Sequence, residues 1–350
     1  MKNISNNIIL AMLLLIQLTI SSCRKVFLDE DIANNPKENF EYLWNDIKNR
    51  YSYLDYKGLD WNAIHDEYNA QIHDGMSQEE LFSVLANMMN ELKDGHVNLT
   101  SPFNLSIYFP ITLNSPENYD GRVVLENYLL RNPDQYYITG PIQNSIFDTL
   151  GVKIGYIRYR SFSDQLKPSD VNYVVSRFND ENVDGVIIDV RSNGGGAVSN
   201  VFTFINRFVD STRLAYISQI KTGPGAEDFG DDEMVYIQPV GSQQFNKRTA
   251  LLTNRGSYSA TSLFTLAARS LPYFKSIGDS TGGGLGAPTA AELPNGWTYR
   301  FSVTRTLSPQ NDNWENGIPP DVLIDLDPVA EAAGYDNIVE RGIQYIITGE

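Results

Sequence analysis

Three short segments, far apart in the chain, carry residue types that can do chemistry together. The first is Asp94-Gly95-His96. The chain has only three histidines. His65 and His73 fall in polar helical stretches and read as surface residues. His96 follows a helix, beside a glycine, at the start of a strand. An imidazole is the commonest base for a hydroxyl that must attack a carbonyl, although a lone histidine can also be purely structural. The second segment runs Asp189-Val190-Arg191-Ser192-Asn193-Gly194-Gly195-Gly196, between a buried strand and a helix. Its glycines let the backbone approach a ligand and take positive φ, and N–H groups near a helix start face negative charge. Such a loop can hold an oxyanion, hold a phosphate, or be a tight turn with no ligand. No Lys-Ser or Lys-Thr follows it, so it is not a Walker A motif. The third segment is Asn254-Arg255-Gly256-Ser257-Tyr258-Ser259-Ala260-Thr261-Ser262. A strand leads in and a helix leads out, which displays a serine hydroxyl as a nucleophile elbow does, though G-x-S-x-G itself is absent. Ser257 or Ser259 could equally cap the helix. Taken together, the three supply a hydroxyl, a base and backbone donors, the set that acyl transfer needs.

The elements around them can be read from periodicity. Over residues 38–93, Phe40, Leu43, Trp44, Ile47 and Tyr51 recur at helical spacing, as do Leu81, Val84, Leu85, Met88, Met89 and Leu92. Gly58 and Asp74-Gly75 divide this stretch into about three helices, and Ser77 with Glu80 has the spacing of a capping box. Residues 97–148 have prolines, asparagines and short alternating runs (LSIYF, RVVLENYLL, QYYITG) that suggest strands and loops. From Gly151 onward strands and helices alternate. GVIIDVR is almost wholly apolar, as a strand buried on both faces should be, and SATSLFTLAARSL reads as a helix between two strands. YRFSVTRTL reads as a further strand, and the tail from Pro328 as a closing helix. This order predicts an α/β fold with a mostly parallel sheet and crossover helices, preceded by a small helical subdomain. The resulting division is 1–22 leader, 23–37 tether, 38–96 helical subdomain, 97–148 strands and loops, and 149–350 α/β domain. In open α/β sheets, ligand groups converge at strand ends, where all three segments lie.

In combination the segments resemble the serine peptidase family of tail-specific (C-terminal processing) and tricorn-core proteases. That family carries D-G-H, then D-x-R-x-N-x-G-G, then T/S-x-S-A, in the order found here. Gly278-Asp279-Ser280-Thr281-Gly282-Gly283 and Glu315-Asn316-Gly317-Ile318-Pro319-Pro320-Asp321 are similar to family segments as well. The likeness is strong over 151–326, weaker over 38–100, and absent over 101–148. It implies a crotonase-like or ClpP-like core and a peptide or protein substrate, with no metal or organic cofactor. It implies Ser259 as nucleophile, His96 as base and Glu315 as the group orienting the imidazole. The N–H groups of Gly195 and Ala260 would hold the oxyanion, with Gly194 and Gly196 as alternatives to the first. A relative that kept the fold but only binds peptides or other ligands, or an esterase using the same site, would look alike at this level.

The sequence departs from the family pattern in three ways. The tail-specific branch uses a Ser-Lys dyad, and Gly284 stands at its lysine's position; Lys275, before that segment, is a poor substitute. The tricorn-core branch has a serine before its histidine, where this chain has Gly95. No PDZ domain fits in 101–148, so recognition of a free C-terminus is not implied.

The first residues resemble a lipoprotein leader. An apolar run from Ile8 to Ile20, interrupted by Gln17, is about 13 residues long, short of the roughly 20 that cross a bilayer. It ends in Ile20-Ser21-Ser22-Cys23, similar to a bacterial lipobox, which implies acylation of Cys23 and anchoring to a membrane of the cell envelope. Cys23 is the only cysteine, which rules out an intrachain disulfide and a thiolate metal cluster. The net charge of −16 argues against a nucleic-acid partner. The acidic run Glu227–Glu233 could suit calcium, but it lacks EF-hand spacing and reads as a solvated loop.

Overall fold

The helical spacing over residues 38–93 produces three helices that share one apolar core. The computed structural model describes residues 33–108 and 115–350, so the leader and Cys23 lie outside the described residues. Helix α1 (Pro36–Arg50) starts on the Asn35 side chain, which accepts from the Glu38 N–H. Helix α2 (Trp61–Asn69) starts on Asp60. Helix α3 (Gln78–Asn90) opens with the capping box that Ser77 and Glu80 predict. Phe40, Leu43, Ile47, Leu81, Leu85 and Met88 meet between them. The short strands β1 (Asn98–Thr100) and β2 (Leu105–Ile107) follow.

The next segment departs from expectation. The run RVVLENYLL forms helix α4 (Gly121–Val124), which continues as a π-helical turn through Leu129, rather than a strand. The Asp120 carboxylate fixes this choice by accepting from the N–H groups of Arg122 and Val123.

The elements that carry the site come next: β3 (Tyr137–Thr139), β4 (Ile142–Thr149), β5 (Val152–Tyr159), α5 (Pro168–Asp180), β6 (Gly185–Asp189), α6 (Val198–Ile205), β7 (Arg213–Ile220), β8 (Glu233–Ile237), β9 (Thr249–Thr253), α7 (Ala260–Ala268) and β10 (Phe274–Gly278). The chain ends with β11 (Pro288–Glu292), β12 (Thr298–Ser302), β13 (Thr304–Leu307), β14 (Val322–Leu323), α8 (Pro328–Ala332) and α9 (Asn337–Thr348).

The main sheet is mixed, in the order β14-β10-β9-β6-β5-β4-β3. Its pairings from β14 through to β5 are parallel, and those of β5 with β4 and β4 with β3 are antiparallel. Strand β6 is buried along its whole length. Its Val186 and Ile188 pack towards α5, α6 and α7, and Ile187 packs towards α4 and α9 on the other face. That two-sided burial is why GVIIDVR has no polar alternation.

The YRFSVTRTL run splits between two sheets. β12 pairs with β1 and β11, and β13 pairs with β7 beside β8. Tyr299 and Phe301 of β12 sit in the core of the N-terminal helices. That core is therefore completed by chain arriving some 200 residues later, which brings Ser302 beside His96.

Candidate active site

The serine corner is the turn between β9 and α7. Ser257 is buried; its hydroxyl donates to the Val190 carbonyl at 2.9 Å and accepts from the Asn254 N–H at 3.1 Å. Ser262 donates to the Gly283 carbonyl at 2.8 Å. Both hydroxyls are committed to holding the turn. Ser259 differs, with φ 57° and ψ −120°, a backbone region that costs a non-glycine residue on the order of 1–3 kcal/mol. Its N–H donates to the Gly283 carbonyl at 2.9 Å. Its hydroxyl makes no cap on α7 and lies 2.9 Å from His96 Nε2.

The glycine loop after β6 is stitched to this corner. The Ser192 N–H donates to Asn254 Oδ1 at 2.7 Å, and the Tyr258 N–H donates to the Asn193 carbonyl at 3.0 Å. Gly195 has φ +95°, and a Cβ there would lie 2.6 Å from the Tyr258 carbonyl oxygen and 2.8 Å from Ser259 Cβ. No other residue lets the loop come this close. The Gly195 N–H donates to Asn193 Oδ1 at 3.0 Å, so it is already engaged within its own loop. Ala260 is the first residue of α7, where a backbone N–H has no intrahelical acceptor. Beneath the loop, Arg191 is fully buried between Asp189 and Asp336, at 2.7 Å from each. Burial raises the Asp189 carboxyl, but Arg191 and Arg158 outweigh it and hold the group below its ordinary value.

His96 comes from the turn between α3 and β1 and is buried. Its N–H donates to Asp94 Oδ1 at 2.8 Å. The Tyr258 ring lies against the imidazole, centroids 5.1 Å apart. Ser302 Oγ is 3.5 Å from Nδ1. Burial lowers the imidazole below its ordinary 6.5; the Asp94 charge opposes this and Arg300 reinforces it. The ring is therefore neutral at neutral pH and able to accept a proton.

Glu315 sits close to this group without touching the imidazole. Its Oε2 accepts from the N–H groups of Leu285, at 2.7 Å, and Gly286, at 3.1 Å. Burial, followed by the negative charge of Asp94, raises its carboxyl to about 8. Gly284, with φ +68°, faces the Tyr258 ring, and a Cβ there would come within 2.3 Å of it. Tyr258 thus fills the space that a side chain at 284 would need. Lys275 on β10 reaches away from the site, its Nζ 5.2 Å from the Tyr345 ring of α9. Sequence reasoning missed Tyr51, Tyr258 and Ser302, which crowd around Asp94 and His96. Only Tyr258 had a local signal, its place between two serines. Among the described residues, no three His, Cys, Asp or Glu side chains are grouped to hold a metal ion.

Residues 153–324 match peptidase family S41, and residues 32–90 match the tricorn protease C1 domain. The chain belongs to peptidase family S41, among its tail-specific and tricorn-type proteases. A putative peptidase from Parabacteroides merdae is 35% identical, with a TM-score of 0.83; the match covers 91% of this chain and 98% of that one. The carboxy-terminal processing protease CtpA of Bacillus subtilis is 25% identical over 200 residues, which is 57% of this chain but only 41% of that relative. The structure of mature CPAF shares the fold at 12% identity, with a TM-score of 0.67 over 90% of this chain and 98% of that one.

Proposed function

We propose that this chain is a serine endopeptidase in which Ser259 is the nucleophile and His96 the general base. One observation carries the reading: His96 Nε2 lies 2.9 Å from the hydroxyl of a serine held in a strained backbone conformation. Ser259 Oγ attacks a peptide carbonyl carbon while its proton passes to Nε2. The oxyanion forms beside the Ala260 N–H and the glycine loop. Gly195 takes part when its N–H turns from Asn193 Oδ1 to the new charge, and Gly194 and Gly196 flank it. The imidazolium then protonates the leaving amine. Water, deprotonated by His96, cleaves the ester and frees the acid. Glu315 holds the Leu285–Gly286 backbone beside the imidazole. Peptides or proteins are the substrate class, supported by the family and by the processing-protease relatives. The core is assigned to the crotonase-like, ClpP-like class, supported by the parallel run from β14 to β5 with its crossover helices.

Fluorophosphonate labelling tests the chemistry. The adduct should map to Ser259, and an adduct on Ser257 or a fully active Ser259→Ala protein would refute the assignment. The lipobox-like run ending at Cys23 supports a second part of the proposal, a lipid anchor in the cell envelope. Cys23→Ser should then release the protein from membranes, and unchanged partitioning would remove the anchor from the reading.

A further inference from the structure

We propose that Asp94, acting through the Ser302 hydroxyl, is the carboxylate that positions His96 and stabilises its protonated form, and that Glu315 is not. The inference rests on the Ser259–His96 reading and names a positioning pair for it. For Nε2 to accept the Ser259 proton, Nδ1 must carry the ring's own proton. The Ser302 hydroxyl lies 3.5 Å from Nδ1, and the Gly286 backbone also favours the protonated ring. Ser302 Oγ in turn donates to Asp94 Oδ2 at 3.3 Å. One orientation of the hydroxyl satisfies both contacts, with Nδ1–H donating to Oγ and Oγ–H donating to Asp94.

Asp94 is itself held from several sides. Its Oδ2 also accepts from Tyr51 of the N-terminal core at 3.0 Å, and its Oδ1 accepts from the His96 N–H and from Tyr258 at 3.4 Å. With Ser302 included, these donors account for about all the lone pairs a carboxylate offers. The other charged group acting on the imidazole is Arg300, which opposes its protonation, while Glu315 spends Oε2 on two backbone N–H groups and has no hydrogen bond to the ring. Burial and the negative charge of Asp94 raise the Glu315 carboxyl above its ordinary value, which disfavours its charged form.

The test is an NMR titration of the His96 imidazole, read alongside the pH dependence of kcat. Removing a negative charge near the ring makes its protonated form less favourable, so the imidazole in Asp94→Asn should titrate at lower pH than in the wild type. The acid limb of kcat should move the same way. A merely structural loss reduces the folded fraction without moving either. Turnover should fall roughly 100-fold, less than the ~10⁴-fold known for a carboxylate bonded directly to such a histidine, with KM little changed. Ser302→Ala keeps the charge and cuts the link, so it should shift the titration in the same direction by less and lower kcat. Glu315→Gln should leave the titration in place. A folded Asp94→Asn or Ser302→Ala protein with wild-type titration and kcat overturns the proposal, as does a lowered titration in Glu315→Gln. The NMR readings can be repeated on a Ser259→Ala background, where no turnover is needed. If wild-type protein is not labelled by fluorophosphonate, the Ser259–His96 reading fails instead, and the two failures are distinguishable.

Discussion

Ser259 sits in a corner held mostly by backbone contacts, whereas Asp94 and His96 are surrounded by groups gathered from four separate stretches of the chain. In the serine corner almost every restraint is backbone or a short local side chain: Gly283 on the Ser259 N–H, Val190 and Asn254 on Ser257, and Asn193 on Tyr258. Around Asp94 and His96 the contacts come from Tyr51 behind α1, Tyr258 before α7, the Gly286 backbone, and Ser302 at the end of β12. The corner proposed to hold an oxyanion is built into the main sheet. His96, the proposed base, arrives on a separate core made by the N-terminal helices and β12. Its placement depends on how that core docks, and its chemistry is open to tuning by single side chains.

The comparison predicts a graded series of losses. Ser259→Ala and His96→Ala should each lower turnover on the order of a million-fold, and the double variant should lose little more, because the two act as one unit. Additive losses, measured by single-turnover kinetics, would break the pairing. Gly195→Ala should cost on the order of 10²–10³-fold in kcat, the scale of losing an oxyanion donor, because a Cβ there meets both Tyr258 and Ser259. Gly194→Ala, where a Cβ meets nothing within 4 Å, should remain within a few-fold of wild type. If the two alanine variants behaved alike, the rigid fit of the loop against the serine would not be what matters.

The same contrast decides how much was legible in the sequence. The Asp189 to Gly196 loop and the Ser257–Ala260 segment are contiguous, so their types and spacing show directly. The buried strand before the loop is visible because both of its faces are covered. Ser302 gave no signal. It sits in a run that reads as one strand but is shared by two sheets, and its value comes from a pairing with β1 far back in the chain. Glu315 shows the opposite case. Its segment was recognisable, but a motif does not say whether a carboxylate faces an imidazole or the backbone beside it. The stretch RVVLENYLL misled for a local reason, since β-branched residues favour strands while the Asp120 cap favours the helical turn.

Glu315 allows a smaller test, on stability. Burial and the Asp94 charge raise its carboxyl to about 8 in the folded chain, from 4.5 when free. Between those values the folded state holds a proton that the unfolded state has released, so the wild type loses stability as pH rises through this window. Glu315→Gln cannot ionise and keeps an oxygen for the Leu285 and Gly286 N–H groups. Its melting temperature should match the wild type at the acid end and exceed it above pH 8. A constant offset at every pH would mean that the carboxyl is not perturbed by its surroundings.

The smallest expected effect is at Lys275, and it separates the two kinds of base that this family suggests. A lysine base would have to approach Ser259, yet Lys275 lies on β10 with its Nζ over the Tyr345 ring of α9. The position that could bring an amine to the serine is Gly284, and the Tyr258 ring occupies its side-chain space. Lys275→Ala should therefore cost only a cation–π contact, about 0.5–1 kcal/mol of stability, and leave turnover unchanged. The pH profile should agree. With the imidazole held below 6.5 by burial, the acid limb of kcat/KM should lie below that value and stay there in the Lys275 variant. A limb above pH 8 that disappeared with Lys275→Ala would give the base to lysine. In that case the contact between His96 and Ser259 would be structural, and the N-terminal core would be a lid on the serine corner rather than half of the site.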